Sequence, residues 1–184
     1  MNSKIIYCFD LEMCCWDIED KETGKTISKT GEIIEIGVCR LNLTTGMIDA
    51  KKSYYVKPEK DEISEFCVSL TGITQELVDK EGTSLAEALD RIENDLGGKL
   101  TSRIFFSWGD DGRWLEDECK SKGIEPLIIK YFNAKILYMI SIRLGNKRMD
   151  FSKALKNEGL EFIGRAHSGA DDAYNLARLV QKFI

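Results

Sequence analysis

Apolar runs and polar breaks alternate along the chain, and their period changes partway. Ile5, Ile6, Tyr7, Cys8 and Phe9 run without interruption up to Asp10, which predicts a buried strand over residues 4–13. Residues 17–30 are polar and charged and include Gly24, so a loop is expected there. Residues 32–43, rich in Ile and Val, predict a second strand, and residues 47–56 a third after a turn ending at Gly46. This reads as a hairpin meander. Short helices are expected over 64–70 and 74–79. A cleaner amphipathic helix follows over 84–96, where Leu85, Ala88, Leu89, Ile92 and Leu96 form one stripe behind Ser84 as N-cap. Residues 103–108 predict a fourth strand, 112–122 a helix ended by Gly123, and 128–134 a fifth strand. Helical patterns close the chain at 137–144, 151–157 and 169–183.

A hairpin run followed by strands alternating with helices implies an α/β fold: a mixed five-stranded sheet flanked by helices. At 184 residues the chain fits one domain, residues 1–184, with a full core. Its net charge of −5 argues against a simple nucleic-acid coat, which binds by neutralising phosphates with basic side chains. An acidic chain can still act on nucleic acid where its carboxylates hold cations that invert the local field. The six cysteines form no C-x-x-C pair, and no secretory or membrane-spanning apolar run is present, which reads as a reduced, cytoplasmic protein with no membrane partner.

The carboxylates change the picture. Asp10 and Glu12 end the first apolar run, and positions i and i+2 of a strand face the same way. Two carboxylates so placed repel unless protonated or bridged by a cation, and hard oxygen ligands suit Mg²⁺ or Mn²⁺. Taken alone, such a pair is as readily a hydrated strand end. Asp110 and Asp111 follow the fourth strand, where an acid can equally cap a helix. His167, the only histidine, stands in a glycine-bounded loop, with Asp171 and Asp172 at the start of the last helix. Together, Asp10, Glu12, Asp111 and Asp172 supply four carboxylates, and His167 a base of the type that titrates near neutral pH. Phosphodiester hydrolysis by two ions roughly 3.5–4 Å apart needs such a set.

These motifs resemble the DEDDh branch of the DEDD superfamily of 3′→5′ exonucleases. The matching segments are Asp10-Leu-Glu12-Met-Cys-Cys-Trp16, Gly31 to Gly37, Phe66 to Thr74, Ser107-Trp-Gly-Asp110 and His167 through Asn175. They occur in order over nearly the whole chain, and the histone-mRNA and small-RNA exonucleases and their bacterial relatives are the branch most similar. The resemblance implies an RNase H-like fold and release of nucleoside 5′-monophosphates from 3′ ends of DNA or RNA. It implies that Asp10, Glu12, Asp111 and Asp172 hold two Mg²⁺ or Mn²⁺ ions, that His167 activates the water, and that Met13 and Leu70 contact the terminal nucleotide. Two departures stand out. Cys14 replaces a threonine of the first motif. The middle motif is one residue short, which assigns the third ligand to Asp111 when aligned on Leu115, with Asp110 as the alternative. Lys51, Lys52, Lys147, Arg148 and Arg165 are candidate phosphate contacts. A catalytically impaired nucleic-acid-binding module of the same fold is the alternative function, and a phosphohydrolase acting on small nucleotides is a third.

Overall fold

A computed structural model describes residues 4–19, 26–144 and 149–184. Five strands form one sheet in the order β3-β2-β1-β4-β5. β1 (Ile5–Glu19), β2 (Thr26–Asn42) and β3 (Ile48–Tyr55) make the antiparallel meander. β4 (Phe105–Ser107) runs parallel to β1, and β5 (Tyr131–Asn133) parallel to β4. The sheet is therefore mixed, as the pattern predicts, and β1 lies at its centre.

Two expectations are corrected. Residues 17–30 are not simply a loop: Cys15 pairs with Thr30, and Asp17 with Ser28, extending the β1–β2 hairpin out to Glu19 and Thr26. The Ser28 hydroxyl donates to the Asp17 carboxylate at 2.6 Å, so polar side chains, invisible to a hydrophobic period, help fasten this extension. The helix expected over 137–144 starts three residues earlier, because the Asn133 side chain accepts from the Ile136 N–H and caps it.

The helices are α1 (Glu65–Thr71), α2 (Gln75–Glu81), α3 (Leu85–Asp95), α4 (Asp111–Ser121), α5 (Ala134–Ser141), α6 (Phe151–Asn157) and α7 (Gly169–Val180). α3 carries the full capping box between Ser84 and Glu87, and its apolar stripe packs with Tyr7, Phe9 and Leu11 on one sheet face. The other face of β1, with Ile6 and Cys8, packs against α7 through Ala173, Leu176, Ala177 and Val180. Alternation along β1 thus puts Asp10 and Glu12 on the α7 side. The approach of α7 to β2 is limited by backbone alone: a Cβ at Gly37 would fall 1.8 Å from the carbonyl carbon of Gly169. Only a glycine at position 37 lets the first turn of α7 sit there.

Candidate active site

Three of the expected acids converge. Asp10 and Glu12 come from β1 and Asp172 from the first turn of α7, and one carboxylate oxygen of each lies within 4.8 Å of the others. Asp111 stands outside that triplet, at the first residue of α4. It is 8% exposed, and its own N–H, the Leu11 N–H and the Ser107 side chain favour its charged form. Of the neighbouring charges it acts most strongly on Asp10. Asp110 is exposed; its side chain makes no helix-capping bond and accepts from the Asn133 amide at 3.5 Å.

The electrostatics of the group are one-sided. Burial, and then the charges of Asp111, Asp172, Glu12 and Glu35, push the Asp10 carboxyl well above the ordinary range. Burial raises Glu12 to about 8, helped by Glu35, Asp172 and Asp111 and opposed by the Arg165 guanidinium. Asp172 rises to about 6 through burial, although the N–H groups of His167 and Ser168 favour its charged form. Asp111 is raised by burial, opposed by its own N–H, the Leu11 N–H and the Ser107 side chain. Each carboxylate makes ionisation of the others harder, which is the condition a bound cation relieves.

His167 is exposed and adopts φ 60°, a left-handed conformation uncommon for a residue with a side chain. The Ser168 N–H donates to the Asp172 carboxylate at 3.2 Å, and the His167 N–H favours the charged form of the same carboxylate. Successive N–H groups in such a turn form a small anion cradle. The loop is pinned from inside by fully buried Asn175, whose amide accepts from the Ile163 N–H at 3.0 Å and donates to its carbonyl at 2.9 Å. Asp171 faces the other way, accepting from the Arg165 N–H at 2.8 Å and pairing with Lys51.

Met13 packs beside the cluster of Phe9 and Leu11, its carbonyl accepting from the Cys67 thiol at 3.5 Å, and Leu70 packs beside Cys14, Cys15 and Cys67. Among the candidate phosphate contacts, Lys51 pairs with Asp171 and lies 5.3 Å from the Tyr174 ring centre, and Lys52 pairs with Asp95 at 2.6 Å. Arg165 donates to the Leu70 carbonyl at 3.3 Å and stands over Gly72, leaving no room for a Cβ there. Lys147 and Arg148 lie outside the described residues.

One site residue escaped the sequence reading. Glu35 on β2 is directly across from Glu12 and only 1% exposed. A lone acid inside Ile33-Ile34-Glu35-Ile36, in a strand apolar on both faces, was the available signal.

A mixed sheet whose central strand carries two carboxylates, joined by a third from α7, offers a set of oxygen ligands that could hold a metal ion. Residues 7–180 match the Exonuclease family, and the chain belongs to that family. It is 34% identical over 199 residues to ERI1 exoribonuclease 2 of Homo sapiens, covering 95% of this chain but 28% of that protein. It is 32% identical over 200 residues to the 3′-5′ exonuclease Snipper of Drosophila melanogaster, covering 97% of this chain and 69% of that one. The fold matches the nuclease domain of 3′hExo, a DEDDh family member bound to rAMP, with a TM-score of 0.81 at 27% identity over 98% of this chain and 92% of that one.

Proposed function

We propose that residues 1–184 form one exonuclease domain that removes nucleoside 5′-monophosphates from the 3′ ends of nucleic acid, RNA in the first instance, using Mg²⁺ or Mn²⁺. The observation that carries this reading is the convergence of Asp10, Glu12 and Asp172 within 4.8 Å, with buried Asp111 acting on Asp10. The donor set fits two hard divalent cations: it is all oxygen, it carries excess negative charge, and its acids resist ionising together. Asp10, Glu12, Asp111 and Asp172 would hold the ions. When bound, such ions stabilise the attacking and leaving oxygens of an in-line phosphoryl displacement. His167, exposed at the tip of its pinned loop, is free to take the proton of the attacking water. The N–H of neighbouring Ser168 donates to Asp172, which links the loop of the base to a ligand acid. Arg165, which acts on Glu12 and donates to the Leu70 carbonyl, offers a positive charge beside the acids for a substrate phosphate. Met13 and Leu70 remain proposed contacts to the terminal nucleotide. RNA is placed first because the human relative is an exoribonuclease and the structural neighbour holds rAMP. Six free, buried thiols support a reducing compartment such as the cytoplasm.

A panel of 5′-labelled RNA and DNA strands, single and double, with Mg²⁺, Mn²⁺ or EDTA tests the reading. Stepwise shortening from the 3′ end with mononucleotide product is expected, abolished by EDTA. Shortening that persists in EDTA, or cleavage confined to free nucleotides, rejects it.

A further inference from the structure

Glu35 is the one nearly inaccessible carboxylate beside the site that the four-acid scheme leaves without a role. It faces Glu12 across the β1–β2 ladder and adds its negative charge to Asp10, Glu12 and Asp172. Nothing cationic contacts it among the described residues: its Oε1 accepts from the Ser53 hydroxyl on β3 and from the Ala170 N–H at 3.4 Å on α7. Ala170 is two residues before Asp172, in the same helical turn. Around this contact the packing has no slack, since Gly37 and Gly169 meet backbone to backbone and a Cβ on Gly169 would lie 3.2 Å from the Glu35 carboxyl carbon.

A buried acid with two neutral donors is an expensive way to hold a helix against a strand. An amide or a hydroxyl would accept the same two bonds without a buried charge among like charges. The charge therefore calls for a partner, and the neighbouring acid cluster is a place where a cation would meet it.

Resting on the function proposed above, we infer that Glu35 is a positioning residue for the metal centre: it ties the first turn of α7 to β2 and β3, so that Asp172 meets Asp10 and Glu12, and it supplies negative charge behind them that strengthens cation binding. Outer groups of this kind commonly change metal affinity by roughly 10–100-fold when removed.

Glu35→Gln separates charge from shape, because the amide oxygen can still accept from Ala170. Glu35→Ala removes both. The experiment titrates Mn²⁺ into the full chain by calorimetry and follows thermal melting in EDTA. Glu35→Gln is expected to melt in EDTA no lower than the wild type and to bind Mn²⁺ about tenfold more weakly. Its exonuclease rate should recover toward the wild-type rate at saturating metal. Glu35→Ala should melt lower and fail to recover. If Glu35→Gln binds Mn²⁺ like the wild type, the charge role is overturned; if it also melts as low as Glu35→Ala, Glu35 is only a structural acid. A wild type that binds no Mn²⁺ and shortens no strand overturns the proposed function, and this inference with it. A wild type that cuts and binds metal, beside an indifferent Glu35→Gln, overturns this inference alone.

Discussion

Two clusters of acids among the described residues, each with poorly exposed members, are built on opposite principles. At the candidate site, Asp10, Glu12, Asp111 and Asp172 crowd together beside Glu35 with no lysine paired to them among the described residues, and the carboxyls of those four go up. Elsewhere on β2, Glu32 joins Glu59 and Glu118 around Lys122, whose ammonium is 2.6 Å from Glu32 and 3.0 Å from Glu59. Burial alone would raise Glu32, but Lys122 and the N–H groups of Lys60, Asp61 and Glu59 outweigh it and hold it at about 2. Glu118 receives the Ile33 N–H and rises through burial, 3.8 Å from the same lysine. The second cluster carries its cation in the sequence and fastens α4 and the 56–63 loop to β2. The first leaves the cation to be supplied from solution. A buried acid cluster that the chain itself does not neutralise marks function more sharply than acidity does.

The largest expected effect breaks the first cluster. Asp10→Asn removes the carboxylate at the centre of the group and should cost several kcal/mol of transition-state stabilisation, a fall of roughly a thousandfold or more in hydrolysis. Its melting temperature in EDTA should equal or exceed that of the wild type, because one repelling charge is gone. Measured 3′-end shortening near the wild-type rate would remove Asp10 from the metal site.

Removing the built-in cation tests the second cluster. Lys122→Met leaves Glu32 and Glu118, each little exposed, without their counter-charge. Breaking one partner of such a group costs roughly 3–5 kcal/mol when fully buried, so about 3 kcal/mol is expected here. Urea unfolding should register this loss, while the activity of the folded fraction stays near that of the wild type. The reverse pattern, intact stability with lost activity, would mean that the two clusters have been assigned the wrong way round.

The pH dependence of stability should differ between the clusters in sign. Glu12 and Asp172 have carboxyls raised in the fold from 4.5 to about 8 and from 3.8 to about 6. Their contribution is complete below those ordinary values and is lost as pH rises through about 6 and about 8. Glu32, lowered from 4.5 to about 2, contributes above 4.5, and that part is lost as pH falls through about 2. In EDTA the melting temperature should therefore decline from about pH 5 to about pH 8.5. Mn²⁺ at a hundred times its Kd should add about 2.7 kcal/mol on the alkaline side. A flat alkaline profile that ignores Mn²⁺ would count against a cation at the first cluster.

Much of this was legible in the residues. Unbroken apolar runs located the strands, the Ser84–Glu87 box located α3, and the i, i+2 spacing placed Asp10 and Glu12 side by side. What stayed hidden depends on pairing across the fold. The β1–β2 extension is held by ladder bonds and the Ser28–Asp17 contact, which leave no hydrophobic period. Glu35 reads as an ordinary strand residue until the sheet puts it opposite Glu12 and α7 covers it.

The smallest expected effect concerns the shortened middle motif, where spacing alone left two neighbouring acids open. α4 begins at Asp111, and that start separates them: Asp111 turns inward onto the Leu11 N–H, while Asp110 stays in solvent against the Asn133 amide. Asp110→Asn can keep the Asn133 contact through its amide oxygen and removes no buried charge, so stability should move by no more than about 0.5 kcal/mol. Hydrolysis should stay within about twofold of the wild type, a change below 0.5 kcal/mol in barrier. Asp111→Asn, made in parallel, should follow Asp10→Asn. Equal losses from both variants would mean that the α4 start shifts when metal binds, and that the contrast between exposed and buried acids does not hold at this point of the site.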